Sequence, residues 1–155
     1  MKKLALVLLG LAAAGNVFAG CPAASSTDLG DVIRRNGGIK DPALASICSR
    51  VKREGFEFII AGDFGVRDGG SFGWANVLLS DPELGLASSS HFAASTQQSK
   101  IATPQEAEQL FLKAISAAIS GMMYEDAIIK LRQSKAKISG TQSLRSERQT
   151  SAGGA

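Results

Sequence analysis

The chemistry available to this chain is sparse. It contains one histidine, His91, and two cysteines, Cys21 and Cys48. A Cys48–His91 nucleophile would need an imidazole placed to lower the thiol, and nothing local marks either residue for that task. Cysteine and histidine in these numbers, without CxxC or HxxxH spacing, do not make a zinc site. Two carboxylates and an imidazole, Asp63, Asp68 and His91, are the one set from which a small hydrolase-type centre would be built. That reading requires the three to converge within hydrogen-bonding reach in one concave pocket. Ser88-Ser89-Ser90 offers hydroxyls without a nucleophile elbow or a Ser-x-x-Lys context. The sequence therefore predicts no catalytic residue, no metal and no cofactor, and binding is the expected mode of action.

The segment best suited to binding is Gly62 to Gly73, GDFGVRDGGSFG. Its spacing fits neither a P-loop nor an EF-hand. It is expected to be a glycine-rich turn region in which Asp63, Arg67, Asp68 and Ser71 face a partner. The edges of the neighbouring sheet offer a second route, because an unpaired strand accepts another strand.

The cysteines connect this to location. Lys2 and Lys3 precede an apolar run from Leu4 to Ala14, and Val17-Phe18-Ala19 ends with small residues at the positions a signal peptidase reads. The run is about half the roughly 20 residues a membrane span needs. A secretory leader over 1–19 is expected, and with it a periplasmic or secreted protein of bacterial type. In such a chain two cysteines predict one disulfide, Cys21–Cys48. Phe18-Ala19-Gly20-Cys21 also resembles a lipoprotein signal, which implies a lipid-anchored envelope protein acylated on Cys21. It departs from that pattern at Phe18, where Leu is usual, and at Pro22.

Charge adds little. The whole chain carries 17 basic and 14 acidic side chains, and the leader holds two of the lysines and none of the acids. Arg34-Arg35, Arg50–Arg53 and the C-terminal charges are scattered, with no basic run of the kind nucleic acid demands. The expected partner is another envelope or secreted protein, with no nucleic acid and no transmembrane segment after processing.

The elements that must position these residues follow from periodicity. At 155 residues with 45% apolar and 20% charged side chains, the chain suits one globular domain, expected over 20–134. Residues 20–27 are expected to be irregular, followed by a short helix over 28–36. Asp41-Pro42 starts a helix with Leu44, Ile47, Cys48 and Val51 on one stripe, and Gly55 stops it. Strands are expected over 56–61, 72–80 and 84–94. The aromatic cluster of Trp74, Phe72, Phe56 and Phe58 is assigned to the core, as is Met122-Met123. His91 is placed on the exposed face of the third strand, opposite Leu86 and Phe92. Thr103-Pro104-Gln105-Glu106 is a capping box opening a helix that breaks near Gly121 and resumes near Tyr124. Residues 135–155 lack periodicity and are expected to be disordered.

The fold class is therefore α+β: a two-layer sandwich in α-β-β-β-α order, its three-stranded antiparallel sheet covered by two amphipathic helices. This order resembles that of double-stranded RNA-binding domains. The resemblance is topological only. Ser99-Lys100 and Thr103-Pro104 stand where that family has a lysine-rich helix start, so it implies no RNA partner.

Overall fold

The computed structural model describes residue 21 and residues 23–152. The expected leader, with its cleavage after Ala19, lies outside the described residues. Among these, no helix is long and apolar enough to cross a membrane.

The chain runs β1 (Ala23–Ser25), α1 (Thr27–Arg35), a single 3-10 turn (Pro42–Leu44), α2 (Ala45–Arg53), β2 (Glu57–Arg67), β3 (Gly70–Asp81), β4 (Leu86–Ser99), α3 (Pro104–Gly121) and α4 (Tyr124–Ala152). β2, β3 and β4 form an antiparallel meander. The α+β order and the helix-covered antiparallel sheet are those the sequence indicated.

α3 packs on β2, β3 and β4, and α4 on β3 and β4. They cover one sheet face, where Phe58, Ile60, Ala75, Val77 and Leu79 meet Phe111, Ala114, Ile115, Ala118, Ile119 and Ile128. The covering pair is thus α3 and α4. The helix after Asp41 instead joins the same core through Cys48 and Val51, both buried.

The local signals explain the helix ends. Asp41 accepts the Ala43 amide at 3.0 Å, and Gly55 takes the left-handed conformation after α2. Thr103 accepts the Glu106 amide at 3.2 Å. The reciprocal half of the expected capping box is not made. The Thr103 amide points instead to Ser71 Oγ on β3, 3.2 Å away. α3 ends at Gly121 and Met122 is extended, so α4 starts afresh at Tyr124.

Four expectations are corrected. Residues Ala23–Ser25 are not irregular: they pair in parallel with Phe58–Ile60 as a fourth strand. The run 62–73 is not a long turn. Its residues extend β2 and β3, which are joined by Asp68-Gly69 alone, both at positive φ. Asp-Gly with two left-handed residues is the two-residue turn that matches strand twist. The segment after residue 134 is helical through Ala152, where disorder was expected. It lacks an apolar stripe, but it has no proline and a good supply of helix-forming Ala, Lys, Gln and Arg. Finally, Met123 is exposed, and only Met122 joins the core.

Gly62 and Gly73 owe their identity to packing. A Cβ on Gly73 would lie 2.3 Å from the Phe111 backbone nitrogen, and one on Gly62 would lie 2.6 Å from the Phe111 ring. α3 rests directly on the strand backbones there. The Phe111 ring also stacks on Phe64 with centroids 5.5 Å apart.

Candidate functional site

Cys21 and Cys48 are joined by a disulfide, with Cα atoms 4.5 Å apart. It fastens the start of β1 to α2. A sulfur in that bond is not available for acylation, so the bridge and the lipoprotein reading of Cys21 exclude each other. The disulfide suggests a non-cytoplasmic protein.

The four residues expected to form a partner-binding loop part company. Asp63 lies mid-strand in β2, its carboxylate accepting the Phe64 amide at 2.8 Å. Arg67 and Asp68 sit at the hairpin tip. Ser71 is buried, at 3% exposure. Its hydroxyl donates to the Ile101 carbonyl at 2.6 Å and accepts from the Thr103 amide. Ser71 thereby clamps the β4–α3 connection to β3. Arg67, Asp68 and Ser71 line one cleft of about 420 Å³ with Phe72, Gln98 and Ser99, and Asp63 is not among its walls.

Asp63, Asp68 and His91 are not brought together. Asp63 pairs with Trp74, and Leu78 pairs with Phe92 beside His91. Four residues of β3 separate those rows, roughly 13 Å at the rise of an extended strand. Asp68 lies at the far hairpin tip, roughly 27 Å along β3 from the Leu78 row. Among the described residues, no group of three or more His, Cys, Asp or Glu could hold a metal.

The surroundings of His91 also differ from expectation. Between Ala87 and Phe92, β4 advances five residues while β3 advances two, from Ser80 to Leu78. Inside this bulge Ser88 Oγ accepts the Leu79 amide at 3.2 Å and donates to the His91 carbonyl at 3.1 Å. The three extra residues are an odd number, so the faces exchange. Leu86 and Ala93 pack toward the core, and Phe92 is turned outward at 60% exposure. His91 is half-buried, its Nδ1 2.9 Å from Ser90 Oγ.

Among the described residues, no helix lies on the second face of the sheet. Its cross-strand rows are Gly65–Phe72–Gln98, Asp63–Trp74–Thr96, Ala61–Asn76–Ala94 and Ile59–Leu78–Phe92. Trp74 and Phe72, expected in the core with Phe56 and Phe58, belong instead to this face, Trp74 39% exposed and Phe72 half-buried. Phe56 and Phe58 are buried as expected. Alternation along β3 separates the two faces correctly. The covered face was the one with Gly73 and Ala75, because a helix approaches closely only where side chains are small.

Two ion-pair groups dock α4. Lys135 reaches Asp81 and Glu83, each at 3.1 Å, and Arg132 holds Glu54, which also pairs with Arg50 at 3.3 Å. Asp81 is fully buried; its other oxygen accepts the amides of Glu83 and Leu84. Burial pushes its carboxyl up, but Lys135 and the two amides outweigh this and hold it below the usual carboxylate range. Arg132's hydrogen bond is the main reason Glu54 is also lowered. Burial opposes it, and the charges of Arg132, Arg50 and Arg53 add to it. Lys135 is raised by Glu83 and Asp81 in turn. Sequence reasoning missed Lys135 because it lies beyond the last apolar residue of the helix stripe.

Comparison with family models, curated proteins and solved structures returns no match.

Proposed function

We propose that this is a small exported binding protein of the bacterial cell envelope, whose partner is another envelope or secreted protein held against the helix-free face of the sheet. One observation carries the reading. Both covering helices lie on one side, leaving Trp74 and Phe92 in view with Phe72, Leu78 and Ile59 half-buried around them. Exposed aromatic residues rimmed by polar ones, here Asp63, Asn76, Thr96 and Gln98, have the make-up of interface centres. The disulfide supports an oxidising compartment, periplasmic or extracellular.

The test is photo-crosslinking in intact cells from residues placed at 74 and 92, with 129 as control. Ile129 is exposed too, but on α4. Discrete protein adducts from 74 and 92, absent from 129, are expected. Identical patterns at all three, or none, would refute the assignment.

A further inference from the structure

Among the described residues, β4 ends the sheet and pairs only with β3. It is a 14-residue edge. Protein edges of this length normally carry charges, prolines or distortions that deter another strand. β4 has one such device, the bulge between Ala87 and Phe92. From Phe92 to Ser99 the strand reads FAASTQQS, with no charge and no proline, and it pairs regularly with β3 except at that bulge. The core-facing residues Ala93, Ser95, Gln97 and Ser99 are only half-buried, unlike Ala75, Val77 and Leu79 on β3. Backbone amides and carbonyls along this outer edge have no strand partner among the described residues.

We infer that this edge is a self-association surface: β4 of one copy pairs antiparallel with β4 of a second copy. Symmetry and side-chain parity restrict the register. In an antiparallel pair, opposed residues share a face. A two-fold pair that keeps both faces consistent must place one residue opposite itself. Centred on Ser95, Ala94 stands opposite Thr96 of the partner subunit, Ala93 opposite Gln97 of the partner subunit, and Phe92 opposite Gln98 of the partner subunit. The four central residues, Ala93 to Thr96, are small, so their side chains leave room for the backbones to approach. An uncharged strand also meets its own copy without the like-charge repulsion that deters self-pairing of a charged edge. The two-fold axis lies perpendicular to the sheet, so both helix layers fall on one side. The helix-free faces join into one eight-stranded surface. This inference rests on the backbone edge of β4, whereas the proposed partner binding rests on the side chains of the helix-free face, to which Phe92, Ala94, Thr96 and Gln98 also belong.

The seam is about eight residues and roughly 26 Å long, at the small end of specific interfaces. Dissociation in the micromolar range is expected. Sedimentation of the oxidised, full-length-expressed protein between 1 and 500 µM should show monomer converting to dimer. Ala94→Lys with Thr96→Lys sets lysines against lysines across the axis and should weaken association at least tenfold. Ala94→Lys with Thr96→Glu sets Lys against Glu and should restore it. Both positions are solvent-exposed, so folding is checked by unchanged melting. Ser95→Cys should give a covalent dimer on oxidation. A wild type that stays monomeric at 500 µM overturns the inference and leaves the edge to a strand of another protein. Equal association of the Lys/Lys and Lys/Glu variants overturns it as well, since the seam would then lie elsewhere. Loss of photo-adducts at 74 and 92 would count against the partner reading alone.

Discussion

Breaking the Cys21–Cys48 bridge tests how the fold is held together. The bridge spans 27 residues. Closing a loop of that length in the unfolded chain removes roughly 12 cal/mol/K of entropy, about 3.6 kcal/mol at 25 °C. That is a large share of the 5–15 kcal/mol by which domains are ordinarily stable. Unfolding entropy near 2.1 cal/mol/K per residue gives about 0.27 kcal/mol/K for a domain of roughly 130 residues. The expected fall in Tm for Cys21→Ala with Cys48→Ala is therefore about 13 °C. Both sulfurs are buried, so lost packing adds to this figure. The loss should also be uneven. β1 is three residues long and pairs only with Phe58–Ile60, so without the bridge its ordering rests on three residues of parallel pairing. Calorimetry of the oxidised wild type and the double variant measures the first effect. Hydrogen exchange at Ala23 to Ser25 measures the second, with faster exchange expected there than in β3. A Tm difference under about 3 °C, with β1 protection intact, would refute the reasoning.

Gly73→Ala drives a methyl into the backbone of α3 at Phe111, where no side chain can move aside. Overpacking of this kind costs about 1–3 kcal/mol or more, and denaturant unfolding should show it, whereas Gly121→Ala, with open space around it, should not destabilise. The α4 docking is expected to be acid-sensitive. Asp81 and Glu54 have folded values below their unfolded ones, so their contribution is complete above the ordinary carboxylate range near pH 4 and is lost as pH falls through the folded values. The stability–pH slope below about pH 4 should flatten in Asp81→Asn. An unchanged slope would show that Asp81 does not govern acid unfolding.

Much of this architecture was legible because it is written in local rules. Asp41-Pro42, Thr103-Pro104 and Gly55 set helix ends through hydrogen bonds and dihedral preferences spanning a few residues. The helical spacing of Ala107, Leu110, Phe111, Ala114, Ile115, Ala118 and Ile119, all buried, and the two-residue alternation along β3 are periodicities that decide which residues share a face. The cysteine pairing followed from there being only two. Asp68-Gly69 is the turn dipeptide favoured by a two-residue hairpin, but among the surrounding glycines the whole run 62–73 reads as turn and the dipeptide does not stand out.

The tertiary structure decided the rest. Which face of β3 is covered depends on where α3 comes to rest, and that is set by Gly62 and Gly73 accommodating Phe111 from a residue about 40 or 50 positions away in the chain. The fate of Phe92 depends on an odd-numbered bulge against β3, and no property of β4 alone specifies how many residues it will skip. Ser71 and Lys135 gained their roles from groups far along the chain, Thr103 and Asp81. Local sequence constrains dihedral angles and periodicity. Close approach, strand register and burial of charge are properties of pairs of segments, and they exist only once the segments have met.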